Sequence, residues 1–116
     1  MQPIYNRNGS VVSWLKENAI LSMSGEHVAF INRSNLFSYN GNHLGIFNKG
    51  FFRDHQGAAV AFIKGATGGP ILPVPCIPPI PPIPYIPPIP PIPNLPPIPA
   101  IPTFQWSSTS WDCFVR

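Results

Sequence analysis

Histidine side chains recur at a regular spacing and are the first candidates for chemistry in this chain. His27 and His43 are sixteen residues apart, with Ser22 and Ser38 beside them across two predicted turns. Two imidazoles placed in this way could ligate a metal ion or exchange protons near neutral pH. A third histidine, His55, is expected on the other strand of its hairpin and therefore on the opposite side of the sheet.

No carboxylate completes such a site. Asp54 and His55 are neighbours in the chain, so on a strand their side chains point to opposite faces. The sequence contains no nucleophile elbow or dinucleotide fingerprint, and the glycine-rich stretch 65–69 lacks the lysine of a phosphate loop. We therefore expect a non-enzymatic protein without catalytic residues, metal ligands or cofactors. The acidic residues are Glu17, Glu26, Asp54 and Asp112.

Charge and hydropathy argue against further classes of function. The formal net charge of +3 lies within residues 1–64, without a cluster of lysine or arginine, so we expect no nucleic-acid partner. The N-terminus has no apolar signal segment, and the C-terminal third is too rich in proline for a membrane helix. A cytoplasmic protein with no membrane partner is therefore expected. Cys76 and Cys113 match no zinc or redox spacing, and whether they form a disulfide stays open.

Four glycines at equal spacing mark an internal repeat in the first 65 residues. Each glycine is flanked by two β-rich runs, and the Asn-Gly pairs at 8–9 and 40–41 are typical of two-residue hairpin turns. The links between repeats are also short enough to be turns. Because so short a unit cannot bury its own apolar face, the four repeats must share one core. The glycines are Gly9, Gly25, Gly41 and Gly57, each sixteen residues after the last.

A two-residue turn also predicts which residues face each other across each repeat. On one face a large residue meets a small one every time, which indicates a crowded centre. These pairs are Ile4 with Ser13, Ile20 with Ala29, Leu36 with Gly45 and Phe52 with Ala61. On the other face the predicted pairs are Tyr5 with Val12, Leu21 with Val28, Phe37 with Leu44 and Arg53 with Val60.

The C-terminal third carries an apolar residue at every third position from Ile71 to Phe104, and almost everything between is proline. Proline favours polyproline II, which has three residues per turn, so these side chains share one edge of a rod. Each fully buried aliphatic side chain is worth roughly 1.5–3 kcal/mol, too much over a dozen positions to leave in water. We therefore expect an ordered rod, packed in a groove of its own domain or between chains. The predicted packing stripe is Ile77, Ile80, Ile83, Ile86, Ile89, Ile92, Leu95, Ile98 and Ile101.

The rod consists of four nonapeptides, each with one slot where proline is missing and a backbone N–H returns. Fully extended, the rod would span about 100 Å at ~3.1 Å per residue, several times the length of a strand. It must therefore bend at these slots and return to its domain, or lie along other chains. The slots hold Cys76, Tyr85, Asn94 and Thr103.

Large aromatic residues lie near the end of the sequence. Trp106, Trp111 and Phe114 are predicted to anchor a short terminal turn on the core or on the rod. Thr109 and Asp112 have the spacing of a weak capping box. An aromatic ligand-binding patch is the alternative interpretation of the same residues.

The expected fold is all-β, with four 16-residue β-hairpin repeats in a pseudo-fourfold, eight-stranded meander. A packed polyproline II segment and a short aromatic C-terminal turn follow. The expected segments are a β domain at 1–65, a glycine-rich hinge at 66–70, the polyproline II segment at 71–104 and the aromatic anchor at 105–116.

The order of these features resembles a bacterial family described as four-fold β-flower proteins. Its most specific marks are the equally spaced glycines and the Trp-Ser-Ser-Thr-Ser-Trp sequence at 106–111. The resemblance implies a shape, four hairpins around a pseudo-fourfold axis, and no assigned activity. Arg53 departs from the pattern, since the other repeats have Tyr5, Leu21 and Phe37 at that position, so symmetry is expected to fail at one repeat.

These features favour a structural or assembly protein that forms a homo-oligomer through its β domain and its rod. As an alternative, the recurring Pro-x-x-Pro spacing could make the rod an adaptor ligand for SH3-like or WW-like domains. Such ligands usually need a flanking arginine or lysine, and the rod has none. A small ligand-binding protein using the tryptophans and histidines is the third interpretation. The biological process, the partner and the number of subunits stay open.

Overall fold

The computed structural model describes residues 1–88, 96 and 100–115. Eight antiparallel strands follow one another around a closed barrel. Each sequence repeat supplies two consecutive strands, and a short helix lies near the C-terminus. The strands are β1 (Gln2–Tyr5), β2 (Val11–Lys16), β3 (Ala19–Leu21), β4 (His27–Asn32), β5 (Asn35–Ser38), β6 (His43–Asn48), β7 (Phe51–Arg53) and β8 (Ala59–Phe62), and the helix is α1 (Trp111–Phe114).

Closure of the barrel is a feature that the predicted meander did not include. Tyr5 in β1 pairs with Phe62 in β8, and the two rings stack with their centroids 5.3 Å apart. An open meander would leave two edge strands with unpaired backbone groups, which invite aggregation. The predicted all-β class with eight strands is confirmed, and closure gives every repeat a neighbour on both sides.

The turns at the four glycines have three residues instead of the predicted two. In repeat one the amide of Gly9 donates to the carbonyl of Asn6 at 3.0 Å, and the amide of Asn6 donates to the carbonyl of Ser10 at 2.9 Å. Gly9 has a φ of +82°, in the left-handed region that a side chain disfavours and that this turn requires. The same two hydrogen bonds recur in the other three repeats.

The longer turn adds one residue to the second strand of each repeat and so produces a β-bulge. The pairs on the crowded face are as predicted: Ile4 with Ser13, Ile20 with Ala29, Leu36 with Gly45 and Phe52 with Ala61. The pairs predicted with Val12, Val28, Leu44 and Val60 are wrong, because the bulge shifts the register by one residue. The observed pairs are Tyr5 with Val11, Leu21 with His27, Phe37 with His43 and Arg53 with Ala59.

Two-residue turns occur at the links between repeats. Arg33 and Ser34 have φ angles of +51° and +67°, and Lys49 and Gly50 have φ angles of +50° and +89°. Positive φ at both central residues characterises the turn that matches the twist of two paired strands. The turn type predicted for the Asn-Gly pairs therefore lies at the other end of the barrel.

The barrel interior is crowded, as the alternation of large and small residues predicted. Ser13, Ala29 and Ala61 are fully buried. A Cβ atom on Gly45 would overlap the carbonyl oxygen of Arg53 and would lie 3.2 Å from the ring of Phe114. Gly45 therefore makes room both for the neighbouring strand β7 and for the C-terminal helix.

Helix α1 completes the apolar core with two of the predicted aromatic anchors. Trp111 and Phe114 are buried in the same cluster as Ile4, Leu36 and Phe52. The rings of Phe52 and Trp111 meet edge to face at 5.4 Å. Burial of each anchor contributes roughly 1.5–3 kcal/mol, which explains how so short a helix stays in place.

The cap of α1 differs from expectation in position, and the third aromatic residue, Trp106, packs on the apolar cluster outside the barrel. Ser110 is the N-cap, and its hydroxyl accepts the amide of Cys113 at 3.4 Å, so the predicted cap at Thr109 is wrong by one residue. Trp106 lies outside the barrel, where it forms a parallel bridge with Ala59. The C-terminal anchor therefore contacts both the interior and the outer face of the barrel.

Candidate functional site: the proline belt and the groove beneath it

The described part of segment 71–104, named here the proline belt, is fixed to the glycine turns by backbone hydrogen bonds. The amides of Cys76, Tyr85 and Thr103 donate to turn carbonyls at 2.8, 3.0 and 3.1 Å respectively. These are three of the four slots where a backbone N–H was predicted to return; the fourth, Asn94, lies outside the described residues. The accepting residues are Gly9, Gly25 and Gly57, in that order.

The belt therefore returns to its own barrel, and its described slots meet the turns of repeats one, two and four in chain order. Nine residues of extended proline-rich chain reach roughly 28 Å, and Tyr85, nine residues after Cys76, meets the turn of the next repeat along the barrel. Of the two alternatives left open by the sequence, the return to its own domain is the one present for the described residues of the single chain.

Close approach of the belt explains why the turns carry glycine at this position. A Cβ atom on Gly9 would overlap the carbonyl oxygen of Val74, and one on Gly25 would overlap that of Ile83. Both residues also have positive φ. Glycine is thus required twice, once for the turn and once for the contact between backbones.

The apolar stripe of the belt faces solvent. Its backbone is bound to the barrel, but its aliphatic side chains are not, so the expectation that the stripe fills a groove within its own chain is wrong for the described residues. The exposed fractions are Ile71 94%, Val74 88%, Ile77 95%, Ile80 93%, Ile83 87%, Ile86 92%, Ile101 85% and Phe104 75%. Ile89, Ile92, Leu95 and Ile98 lie outside the described residues.

Arg53, the residue that breaks the repeat pattern, fastens both ends of the belt. Its side chain is fully buried. One terminal nitrogen donates to the carbonyls of Gly57 and Thr103 at 2.7 and 2.8 Å, and the other donates to the carbonyl of Gly68 at 3.0 Å. Gly68 precedes the belt and Thr103 lies near its end, so one guanidinium joins the two ends to the fourth glycine turn.

The guanidinium of Arg53 is a buried cation that is stabilised by the dipoles of backbone carbonyl groups. Burial lowers the pKa of Arg53, and the neighbouring Asp54 acts in the opposite direction. The guanidinium also lies 5.2 Å from the ring centroid of Phe51, a favourable cation–π arrangement. An apolar residue at this position would remove the donor to the carbonyls of Thr103 and Gly68, whereas the carbonyl of Gly57 would keep the amide of Thr103.

A groove of about 470 Å³ lies between the belt and the outer face of repeat two. We name it the repeat-two groove. Its volume falls within the range of ligand and peptide sites, roughly 300–1,000 Å³. Its walls are mainly aromatic and proline side chains, with one basic and one acidic residue at one end. They include Ala19, His27, Phe30, Tyr39, Tyr85 and Pro88.

His27 joins the belt to the groove. Its Nε2 atom lies 3.0 Å from the carbonyl oxygen of Tyr85, so Nε2 carries the proton and donates it. Its Nδ1 atom is buried and has no hydrogen-bond partner within the described chain. Tyr39 packs against Phe30 with ring centroids 5.2 Å apart, and burial raises the pKa of the Tyr39 hydroxyl.

The histidine pair differs from the predicted one. His43 contacts His55, with Nδ1 and Nε2 separated by 2.9 Å, and the Nε2 of His43 lies 2.9 Å from Oδ1 of Asn35. The bulge places both His27 and His43 on the outer face, and His55, which was expected on a strand, lies in the fourth glycine turn, where it meets His43. Burial, followed by the neighbouring His55, lowers the pKa of His43. Within residues 1–88, 96 and 100–115, no three potential ligands gather to hold a metal ion.

One set of polar residues was missed from the sequence, although its spacing is visible there. In three of the four glycine turns the side chain of the first residue accepts backbone amides: Asn6 Oδ1 accepts from Asn8 and Ser10, Ser22 Oγ from Ser24 and Glu26, and Asp54 Oδ1 from Gln56 and Ala58. In the third turn the buried hydroxyl of Ser38 has no hydrogen-bond partner within the described chain. Asp54 also accepts the hydroxyl of Ser107 at 2.6 Å. The signal was the recurrence of Asn, Ser, Ser and Asp at 6, 22, 38 and 54.

Cys76 and Cys113 are free and exposed. Among the described residues there is no helix with the length and apolar character needed to span a membrane.

Comparison with known proteins gives one match. A family model described as 4-fold beta flower protein matches residues 2–115. No curated protein and no solved structure matches the chain.

Proposed function

The chain belongs to the family of 4-fold beta flower proteins, and from that premise we propose that it is a non-enzymatic structural protein that self-associates through its proline belt. The observation that carries the proposal is the outward-facing stripe of isoleucines on a backbone fixed to the barrel. The β domain positions the belt, and the belt supplies the surface for assembly.

The exposed stripe has the properties of an interaction surface. Monomeric proteins rarely expose large contiguous apolar patches, and such patches usually mark sites of association. Ile77 and Ile80 are 95% and 93% exposed. Proline restricts the backbone conformations of the belt, and backbone hydrogen bonds at Cys76 and Tyr85 fix the belt to the barrel. Binding would therefore order few additional groups, which favours affinity.

The chemistry of the stripe favours an apolar partner. Between Lys64 and Asp112 the sequence has no charged residue, so the belt offers no charge to a nucleic acid or to a charged protein surface. A second copy of this chain has the same uncharged stripe and the aromatic groove beside it. Self-association buries these surfaces without desolvating an ion pair.

The experiment is a comparison of molar mass in solution. We expect the wild-type protein to form an oligomer by size-exclusion chromatography with light scattering, and the belt variant Ile77→Asp/Ile80→Asp to run as a monomer. Both substitutions lie on exposed side chains, so the barrel should keep its fold and its circular dichroism spectrum.

A matched control adds the same charge elsewhere. In the variant Asn32→Asp/Ser108→Asp, two aspartates replace exposed polar residues outside segment 71–104, and the mass should equal that of the wild type. A wild-type protein that is monomeric at all accessible concentrations would contradict the proposal, as would a belt variant of unchanged mass.

An adaptor role is the second candidate, favoured by one observation. Between the anchors at Cys76 and Tyr85, Pro78, Pro79 and Pro81 are exposed, so an SH3-like or WW-like domain could reach them. Limited proteolysis distinguishes the two roles: a belt displayed as a loose ligand is cut near Tyr85 within minutes, whereas an assembled belt is cut no faster than the barrel.

A further inference from the structure

The outer face of repeat four carries a groove equivalent to that of repeat two, and the chain fills it with its own residues. Phe51 and Phe62 form its floor, and Leu72 and Trp106 pack against the same cluster. The Trp106 ring lies 6.0 Å from that of Phe62. Leu72 belongs to the beginning of the belt, so this groove already accepts an aliphatic side chain from a proline-rich stretch.

The two grooves are built on corresponding residues. Ala19 pairs with Phe30 in repeat two, as Phe51 pairs with Phe62 in repeat four. The stacked rings that support each groove also correspond: Phe30 and Phe37 lie 5.7 Å apart at 29°, and Phe62 and Tyr5 lie 5.3 Å apart at 27°. The repeat-two groove is open for two reasons. Ala19 occupies the position that Phe51 has in repeat four, and the lining of the groove has no counterpart of Trp106.

We propose that the repeat-two groove is the receptor for the belt of a second copy, with Ile77 and Ile80 of that copy as the docked side chains. This inference rests on the proposed self-association and names its contact. The stretch from Ile77 to Pro81 is exposed throughout, whereas the groove lies farther along the same belt, between Tyr85 and Tyr39.

The chemistry of groove and belt is complementary. Proline-rich segments bind in shallow grooves lined by aromatic side chains, and Phe30, Tyr39 and Tyr85 provide such a lining. Lys16 and Glu17 at the end of the groove balance each other in charge, and the belt carries none. Binding should therefore change little between low and high salt.

The contact is between two different surfaces. It either occurs twice in a twofold-symmetric dimer or joins copies head to tail, in which case it closes into rings or extends into filaments, depending on the rotation between copies. The donor surface is the stretch 77–81, and the acceptor is the groove beside Ala19. A variant of each surface can therefore be made without touching the other.

The first test uses a peptide and a receptor that cannot fill its own groove. The probe is an N-acetylated, C-amidated peptide with the sequence of residues 77–84, titrated into the ¹⁵N-labelled belt variant Ile77→Asp/Ile80→Asp. We expect chemical-shift changes centred on Ala19, Phe30 and Tyr39. A peptide with aspartate in place of the isoleucine at position 80 should cause none.

The second test fills the groove from within. Ala19→Phe introduces the side chain that occupies the corresponding position in repeat four, and Ala19→Ser is the matched control that leaves the groove open. We expect Ala19→Phe to weaken peptide binding, measured in the belt-variant background, by at least about tenfold. In the otherwise wild-type chain, we expect it to yield a monomer.

Mixing the two defective proteins gives the sharpest result. The belt variant keeps its groove, and Ala19→Phe keeps its belt, so each alone should be monomeric and a mixture should form a heterodimer. If Ala19→Phe stays oligomeric while the belt variant is a monomer, the groove is not the receptor, although self-association through the belt stands. A monomeric wild type overturns both.

Discussion

The barrel and the proline belt both place apolar side chains at strict intervals, yet they bury them in opposite ways. In the barrel, Ile4, Ile20, Leu36 and Phe52 repeat every sixteen residues, and at most 1% of each is exposed. In the belt, apolar residues repeat every three positions, and the described members of the stripe are 75–95% exposed. Periodicity alone therefore does not determine burial.

The difference comes from where the backbone makes its hydrogen bonds. The backbone groups of the barrel strands hydrogen-bond to one another, so the side chains on one face of these strands can pack together in a shared core. Belt prolines have no N–H, and in the part of the belt that the structure describes the backbone amides bonded to the glycine turns are those of Cys76, Tyr85 and Thr103. The slot edge of the belt is thus held against the barrel, and the isoleucine edge turns outward.

The largest effect should follow from adding bulk in the barrel centre. Gly45→Val places a branched side chain against the carbonyl of Arg53 and the ring of Phe114, and we expect a loss of about 3 kcal/mol or more in the free energy of unfolding. Urea denaturation measures it. Ala61→Gly, which removes bulk from the equivalent position, should cost only about 1 kcal/mol. Equal losses in the two variants would show that the centre is not crowded.

Removing the Arg53 side chain should loosen the belt more than the barrel. Arg53→Leu introduces the residue of repeat two and removes the guanidinium that donates to the carbonyls of Thr103 and Gly68, at a cost of roughly 2–3 kcal/mol. The amide of Thr103 should then exchange with solvent much faster, measured by hydrogen exchange. Arg7→Leu, at an exposed turn, is the control. Unchanged protection of Thr103 would mean that Arg53 does not hold the belt.

A smaller effect is expected at a single anchor. The Cβ atom added by Gly25→Ala would overlap the carbonyl oxygen of Ile83, whereas the one added by Gly65→Ala would lie in open space. The two glycines have similar φ angles, +95° and +85°. Both variants place a Cβ atom on a backbone of positive φ, which costs roughly 1–2 kcal/mol. The additional destabilisation of Gly25→Ala, expected at about 1–2 kcal/mol, therefore reports the contact with the belt. Identical melting curves would contradict that contact.

The smallest effect is a dependence on pH. The pKa of His43 is lowered in the folded state, so the unfolded chain binds its proton more tightly. Stability should therefore be full above the ordinary histidine pKa of about 6.5 and should fall as the pH drops through and below it. His43→Asn should flatten this slope in denaturation curves between about pH 7 and 5. A slope unaffected by the substitution would assign the effect to other groups.

The sequence predicted the parts of this molecule that depend on local spacing. Four glycines indicated eight strands, and the pairing of Phe52 with small Ala61 indicated a crowded interior. The missing prolines at Cys76 and Tyr85 indicated where the belt has a backbone N–H in addition to those of its isoleucines. These features depend on residue type and interval, which are visible without a structure.

Other features depended on contacts between distant segments. A three-residue turn and a two-residue turn can both contain Asn-Gly, and the single-residue difference brought His43 beside His55. The direction of the isoleucine stripe depended on which belt edge meets the turns. The sequence showed Arg53 only as a departure from the repeat pattern, because its hydrogen-bond partners Thr103 and Gly68 are far away in the chain.

Hydrogen exchange of the belt amides in the intact protein tests the central claim most directly. If the belt is fixed to the glycine turns with its stripe outward, the amides of Cys76, Tyr85 and Thr103 should be protected at least about a hundredfold relative to unstructured chain. The amides of Ile80 and Ile86, which make no backbone hydrogen bond within the described residues, should exchange quickly. Uniformly fast exchange at all five amides would contradict the account.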